Sequence, residues 1–268
     1  MREKRAIIVV SFGTTYIDAL KTCIEPIEKA VAESFGSYAV YRAFTSVFVR
    51  KRLAELGIVT ESLPEVLERL SQDGCREVVI MPTHIIEGEE YRSKVAAVAE
   101  EYHGRFARLV VGRPLLACCD ESNCSVDYRK IAEALRLQFP PIRSDEIVVL
   151  MGHGSKCAQG SVYPCLQEAF DERGLRVIVG VMEEGDALSF TYVMKRIREY
   201  GDVKKVYLVP FLLVAGCHVE KDMTGDGSWQ TALQKAGHQV ESYLHGLGEN
   251  EAIRTLYVKR VREMLYQG

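Results

Sequence analysis

The chain has 268 residues, 47% hydrophobic and 26% charged, with 34 Lys and Arg against 37 Asp and Glu for a formal net charge of −3. That composition supports a buried core and excludes disorder as the main state, and the near-neutral balance argues against a general nucleic-acid binder. No apolar run approaches the roughly 18 residues that cross a bilayer, and Ala6–Val10 is too short for a signal-peptide core, so a cytoplasmic protein without membrane association is expected.

In chain order, short apolar runs rich in β-branched residues alternate with amphipathic stretches. Ala6–Val10, Val78–Met81, Leu109–Gly112, Ile147–Met151, Val177–Val181 and Val206–Val209 read as strands, with Tyr38–Tyr41 and Gln239–Tyr243 as weaker candidates. Nearly continuous apolar strands are what a parallel sheet covered on both faces requires. Ser62-Leu63-Pro64-Glu65 has the form of a capping box with proline in the first helical turn. Ile131, Leu135 and Phe139 share one helical face, and Pro140-Pro141 stops that helix. Ile253, Leu256, Tyr257, Val261, Met264 and Leu265 mark a final amphipathic helix. The fold class is therefore α/β, with ligands expected at the carboxyl ends of the strands.

The two halves look alike. RAIIVVSFGTT at 5–15 and EIVVLMGHGSK at 146–156 are each a buried strand ending in a small-x-Gly loop, at an offset of 141 residues (12 against 153). Strand, proline, five residues and glycine recur at Pro82 and Gly88 and at Pro210 and Gly216, an offset of 128. Two similar α/β domains, 1–125 and 126–268, each with a parallel sheet flanked by helices, are expected around one cleft.

Chemistry concentrates in the histidines, of which there are six. His103, His238 and His245 suit capping or surface positions. His84, His153 and His218 each follow a strand, and the last two are flanked by glycine, which lets backbone approach a ligand. Glu183 follows another apolar strand, where a carboxylate is costly to bury without a cation. His153, Glu183 and His218 together make a two-imidazole, one-carboxylate set suited to a divalent ion such as Co²⁺, Fe²⁺, Ni²⁺ or Zn²⁺, with coordination positions left open. The loop Ser11-Phe12-Gly13-Thr14-Thr15 offers backbone N–H groups and hydroxyls to an anion. No P-loop and no GxGxxG occurs, so no nucleotide cofactor is expected. The basic residues Arg42, Arg50, Lys51 and Arg52 surround Phe44-Thr45-Ser46. Of the eight cysteines, Cys118, Cys119 and Cys124 cluster at a spacing that matches no familiar metal site, and are read as small buried or loop residues.

Several longer stretches carry a resemblance: VVSFGTTY at 9–16, YRAFTS at 41–46, THIIEGEEY at 83–91, MGHGS at 151–155, VGVME at 179–183, VPFLLVAGCHVEKDM at 209–223 and GLGENEAIR at 246–254. Nearly end to end, the chain resembles the anaerobic sirohydrochlorin cobaltochelatases, class II chelatases whose fold is similar to that of ferrochelatase. The resemblance implies a lyase of cobalamin and porphyrin-type biosynthesis that inserts Co²⁺ into sirohydrochlorin. It implies His153, Glu183 and His218 as the metal site; Glu184, a second carboxylate beside Glu183 that could compete as ligand, is a small departure from the family pattern. On that reading His153 acts as proton acceptor and metal ligand at different stages. Glu90 stands opposite His218 at the 128-residue offset, so Glu89 or Glu90 is a candidate proton relay. Ser11, Phe12, Gly13, Thr14, Arg42, Thr45 and Ser46 are candidate contacts to the carboxylate-rich macrocycle. Fe²⁺ or Ni²⁺ insertion, a non-catalytic carrier role and association into a homo-oligomer are the open alternatives.

Overall fold

The computed structural model describes residues 4–116, 124–154, 162–182, 187–216 and 223–266. The chain divides into two compact units, Met1–Ala117 with Ile253–Gly268, and Cys118–Ala252.

In the first unit, β1 (Arg5–Ser11), β2 (Ala39–Phe44), β3 (Glu77–Pro82) and β4 (Arg108–Val111) form a parallel sheet in the order β2-β1-β3-β4. The two central strands are apolar along their middles because helices shield both of their faces: Ile7, Ile8, Val9 and Val10 of β1 and Val78, Val79 and Ile80 of β3 are all fully buried. On one face Ile8, Val10, Val78 and Ile80 pack with Leu63, Val66, Leu67 and Leu70. The connections are α1 (Glu25–Ser34), α2 (Val47–Glu55), α3 (Leu63–Gln72) and α4 (Ala97–Tyr102). Single π-helical turns, Leu20–Ile24 and Arg92–Ala96, precede α1 and α4. The capping box at α3 is present as read from the sequence: Ser62 caps Glu65, and the Glu65 carboxylate returns to the Ser62 N–H.

The second unit repeats the plan. Its sheet runs β6-β5-β7-β8, with β5 (Glu146–Gly152) and β7 (Lys205–Pro210) central, β6 (Val177–Val181) and β8 (Gln239–Ser242) at the edges, all parallel. Around it lie α5 (Cys124–Arg136), α6 (Val162–Asp171), α7 (Phe190–Glu199) and α8 (Trp229–Lys235). Ile147, Val149, Met151, Val206 and Leu208 pack with Val193, Ile197 and Leu233. Gly180 is required by close packing in β6, since a Cβ there would sit 2.5 Å from Val193 and 2.7 Å from Trp229.

Two sequence expectations shift. Phe139 does not continue the face of Ile131 and Leu135, because α5 ends at Arg136 and 137–139 form a turn before the two prolines. The last helix, α9 (Glu251–Tyr266), belongs mostly with the first unit rather than with residues 126–268. Its buried residues Ile253, Tyr257, Val261 and Met264 follow the helical repeat. The fully buried Tyr257 donates its hydroxyl to the Thr83 carbonyl at 2.9 Å, Arg108 donates to the Met264 carbonyl at 2.6 Å, and Arg260 donates to the carbonyls of Arg113, Pro114 and Leu115. Burial holds the Tyr257 phenol protonated well beyond its ordinary range.

Candidate metal centre and substrate-binding loops

In the second unit β5 ends at Gly152, packed so closely on Tyr163 that a Cβ there would lie 2.9 Å from its ring. His153 follows directly and is exposed, and Gly154 turns the chain at a φ of +93° that favours glycine. The neighbouring strands leave from either side of this point. The Met182 N–H donates to the Gly152 carbonyl at 2.9 Å, and the Phe211 N–H donates to the Met151 carbonyl at 2.8 Å. The residue before Glu183 is thus bonded to the residue before His153. His153 makes no hydrogen bond or ion pair within the described residues, so its imidazole is available to a ligand. Glu183, Glu184 and His218 lie outside the described residues, as do Cys118, Cys119 and the side chain of Cys124. Among the described residues no group of three or more His, Cys, Asp or Glu side chains is gathered as a metal site.

The first unit reproduces these connections. The Thr45 N–H donates to the Ser11 carbonyl at 2.9 Å and the Thr83 N–H to the Val10 carbonyl at 2.8 Å. Gly13 turns at a φ of +94°, and a Cβ there would meet the Phe44 ring at 2.8 Å. Several candidate contacts are committed inside this frame. Ser11 is fully buried and its hydroxyl accepts from Thr83 at 2.9 Å. The buried Thr14 hydroxyl accepts the Tyr16 N–H at 3.1 Å. Ser46, also buried, caps α2 by accepting the Val49 N–H at 3.3 Å. Thr45 is buried too, its hydroxyl oxygen unpartnered. Arg42 donates to Glu28 at 2.7 and 2.5 Å and to Glu25 at 3.4 Å. It lines a cavity of about 370 Å³ together with Glu28, Tyr41, Thr60 and Glu61. Its charge is already met by carboxylates, which hold its pKa above the ordinary value. Of the predicted macrocycle contacts in this region, Phe12 remains open to solvent, 52% exposed.

Sequence reading overlooked the apolar neighbours of Phe12: Tyr16, Val47 and Phe48 are 47, 50 and 68% exposed. A signal existed for the last two, since only Val49 and Leu53 of α2 are buried and 47–48 cannot share that face. Beyond β3, Glu89 is exposed and Glu90 half-buried in the helical turn Glu89–Tyr91, with the Ser93 hydroxyl donating to the Glu89 carbonyl at 2.7 Å. His84 differs from the other strand-end histidines. Both its ring nitrogens are buried without a partner, its ring lies edge-on to Tyr91 at 6.0 Å, and burial pushes its pKa down to about 4. At neutral pH it is an uncharged imidazole.

Matched α/β units with parallel sheets and loops bonded alike at the strand ends define a chelatase fold. SirB from Bacillus subtilis with Fe³⁺ shares that fold at a TM-score of 0.67 and 16% identity, covering 98% of this chain and 96% of that one. The sequence goes further. The model of the cobalt chelatase (CbiK) family matches residues 5–266. The sirohydrochlorin cobaltochelatase of Salmonella typhimurium is 35% identical over 265 residues, covering 98% of this chain and 97% of the relative. The sirohydrochlorin cobaltochelatase CbiKC of Nitratidesulfovibrio vulgaris is 32% identical over 259 residues, covering 95% and 88%. The chain belongs to the cobalt chelatase family and is a metal chelatase.

Proposed function

We propose that this protein is a sirohydrochlorin cobaltochelatase that inserts Co²⁺ into sirohydrochlorin, releasing two protons, in anaerobic cobalamin biosynthesis. The observation that carries the reading is the family match across residues 5–266, joined by two near full-length relatives bearing that activity in their names. A cytoplasmic setting, where thiols stay reduced, suits a chain with eight cysteines and no CxxC pair.

The proposed site is His153, Glu183 and His218, with Co²⁺ as substrate. An exposed imidazole at a strand end, with no hydrogen bond or ion pair among the described residues, is able to bind the ion and to release it. Incomplete coordination by three side chains favours transfer, because a metal held in a closed site would not leave. As the ion enters the ring, two pyrrole N–H bonds break and their electron pairs become metal ligands. His153 takes a proton once its nitrogen is no longer engaged with the ion, and Glu89 or Glu90 passes protons to water.

Purified protein mixed with sirohydrochlorin and Co²⁺ should produce the absorption change of metallation over many turnovers, well above an enzyme-free control. Stoichiometric binding without turnover would instead define a carrier. Parallel reactions with Fe²⁺ and Ni²⁺ measure how strictly the metal is chosen, which a two-imidazole, one-carboxylate set does not dictate by itself.

A further inference from the structure

Two side chains of α6, one turn apart, fasten the strands that lead to the proposed metal ligands. β6 is an edge strand, so its outer side carries backbone groups that no neighbouring strand pairs. Gln167 pairs two of them. Its amide oxygen accepts the Val179 N–H at 2.7 Å, and its amide nitrogen donates to the Val177 carbonyl at 2.9 Å. The residue is 4% exposed, so these bonds are made away from water. The carboxamide does there what a further strand would do, and it fixes the register of α6 along β6. A second donation, to the Asp171 carboxylate at 3.0 Å, orients the amide, and Asp171 in turn accepts from Arg196 of α7 at 2.7 Å.

Tyr163 lies four residues earlier, on the same face of α6. Its buried ring packs against Gly152, where a Cβ would lie 2.9 Å from it. The fully buried Phe211 stands edge-on to that ring at 6.3 Å. Gly152 is the last residue of β5 and Phe211 the first after β7. One helix face therefore braces the ends of β5 and β7 with a ring and holds β6 with an amide. Beyond those strand ends the chain reaches His153 after one residue, Glu183 after two and His218 after eight. Ligands drawn from three separate strands meet on one ion only if the strands keep their spacing. We propose that Gln167 and Tyr163 are positioning residues for the metal site, setting the spacing of the three strand ends while touching neither the ion nor the macrocycle. The proposal rests on the assignment of His153, Glu183 and His218 to Co²⁺.

The test compares Gln167→Met, which keeps the volume and loses both strand bonds, with Tyr163→Leu, Tyr163→Phe and a control, Phe170→Leu. Phe170 is fully buried in α6, one turn past Gln167 and away from the strand ends. Circular dichroism and melting temperature establish that each variant is folded at the assay temperature. Calorimetric titration with Co²⁺ alone then reads the site without turnover. Gln167→Met and Tyr163→Leu should each weaken Co²⁺ binding about tenfold or more, the scale on which residues that orient metal ligands act. They should lower kcat while the KM for sirohydrochlorin stays within about twofold. Tyr163→Phe keeps the ring and should restore both quantities to within about twofold of wild type. Phe170→Leu should lower the melting temperature and leave Co²⁺ binding unchanged. Wild-type Co²⁺ affinity in either folded variant, Gln167→Met or Tyr163→Leu, overturns the proposal, and so does an equal loss in Phe170→Leu, which would trace the effect to general loosening of α6. His153→Ala keeps the two readings apart. If it abolishes Co²⁺ binding while Gln167→Met and Tyr163→Leu do not weaken it, the metal site stands and the positioning role falls. If it binds Co²⁺ as wild type does, both fall.

Discussion

The loops at the carboxyl end of the first sheet and those of the second share a backbone and differ in chemistry. Ser11 and Gly152 accept the same bond from the next strand's exit, as do Val10 and Met151, and Gly13 and Gly154 turn at φ values of +94° and +93°. Through these bonds Phe12 corresponds to His153, and Ser46 to Glu183 (one residue past Thr45 and Met182). At the offset that matches Thr83 to Phe211, Glu90 corresponds to His218. Where the second unit carries imidazole, carboxylate and imidazole, the first carries a phenyl ring, a buried helix cap and a carboxylate. The shared fold supplies loops at equivalent strand ends, and the two sets differ in the chemistry of the residues they carry.

The largest expected effect tests that division. His153→Ala should lower Co²⁺ insertion by about 100-fold or more, the scale of a lost acid–base or ligand group, with the melting temperature nearly unchanged because the side chain is exposed. Adding Phe12→His to this variant should not restore the rate, because Ser46 is buried as a cap and offers the first-unit loop no carboxylate. Steady-state rates for the two variants check both statements. Recovery in the double variant would mean that the two loop sets are interchangeable.

A second contrast lies one strand over. His84 and Leu212 occupy equivalent places: each carbonyl accepts a backbone N–H, from Leu115 at 2.8 Å and from Leu247 at 2.9 Å. Leu212 packs against the core of its unit, whereas His84 buries two ring nitrogens without partners. Its folded pKa, about 4, lies below the unfolded value near 6.5. Between those values the unfolded chain binds the extra proton, so stability falls as pH drops from about 6.5 to about 4, by on the order of 3 kcal/mol. His84→Leu, the residue used by the other unit, should remove this dependence and leave stability at pH 7 equal or higher, since an unpaired buried polar group is replaced by an apolar one. Urea denaturation at pH 4.5 and pH 7 measures the difference. An unchanged pH slope would assign the acid sensitivity elsewhere.

Much of this architecture was legible because it depends on local pattern. Continuous β-branched runs between amphipathic stretches announce parallel strands, and the repeated Pro-x5-Gly exposes the duplication. The place of His153 was legible too: a histidine between glycines after an apolar run is expected at a strand end, and it stands exposed at the end of β5. The inward bonds of the hydroxyls and of Arg42 were not legible because composition cannot distinguish a side chain facing solvent from one used inward. Ser46 follows a strand and precedes a helix, which makes it a cap, and Arg42 lies on β2 within reach of Glu25 and Glu28 of α1, a partnership set by packing across 14 to 17 residues. The return of α9 to the first unit was hidden for a similar reason: its apolar stripe states that it packs, not on which sheet.

The smallest effect separates two equivalent helices. In each unit a helix links the edge strand to the inner one, α3 capped by Ser62 and α7 preceded by Ser189. At the third helical position α3 has Glu65, whose carboxylate accepts the Ser62 N–H and hydroxyl, both at 2.6 Å, while α7 has Tyr192 and its Ser189 side chain makes no cap. Ser62→Ala should therefore cost about 1 kcal/mol at pH 7, and Ser189→Ala should stay within about 0.5 kcal/mol. The bonds from Ser62 hold the Glu65 pKa below the ordinary value. Their contribution is present above the unfolded pKa and is lost as pH falls through the lower, folded one. The gap between the two variants in urea midpoints should accordingly narrow in acid. A gap that persists once Glu65 is protonated would place the stabilisation in the Ser62 hydroxyl and the Glu65 N–H alone, and not in the reciprocal box.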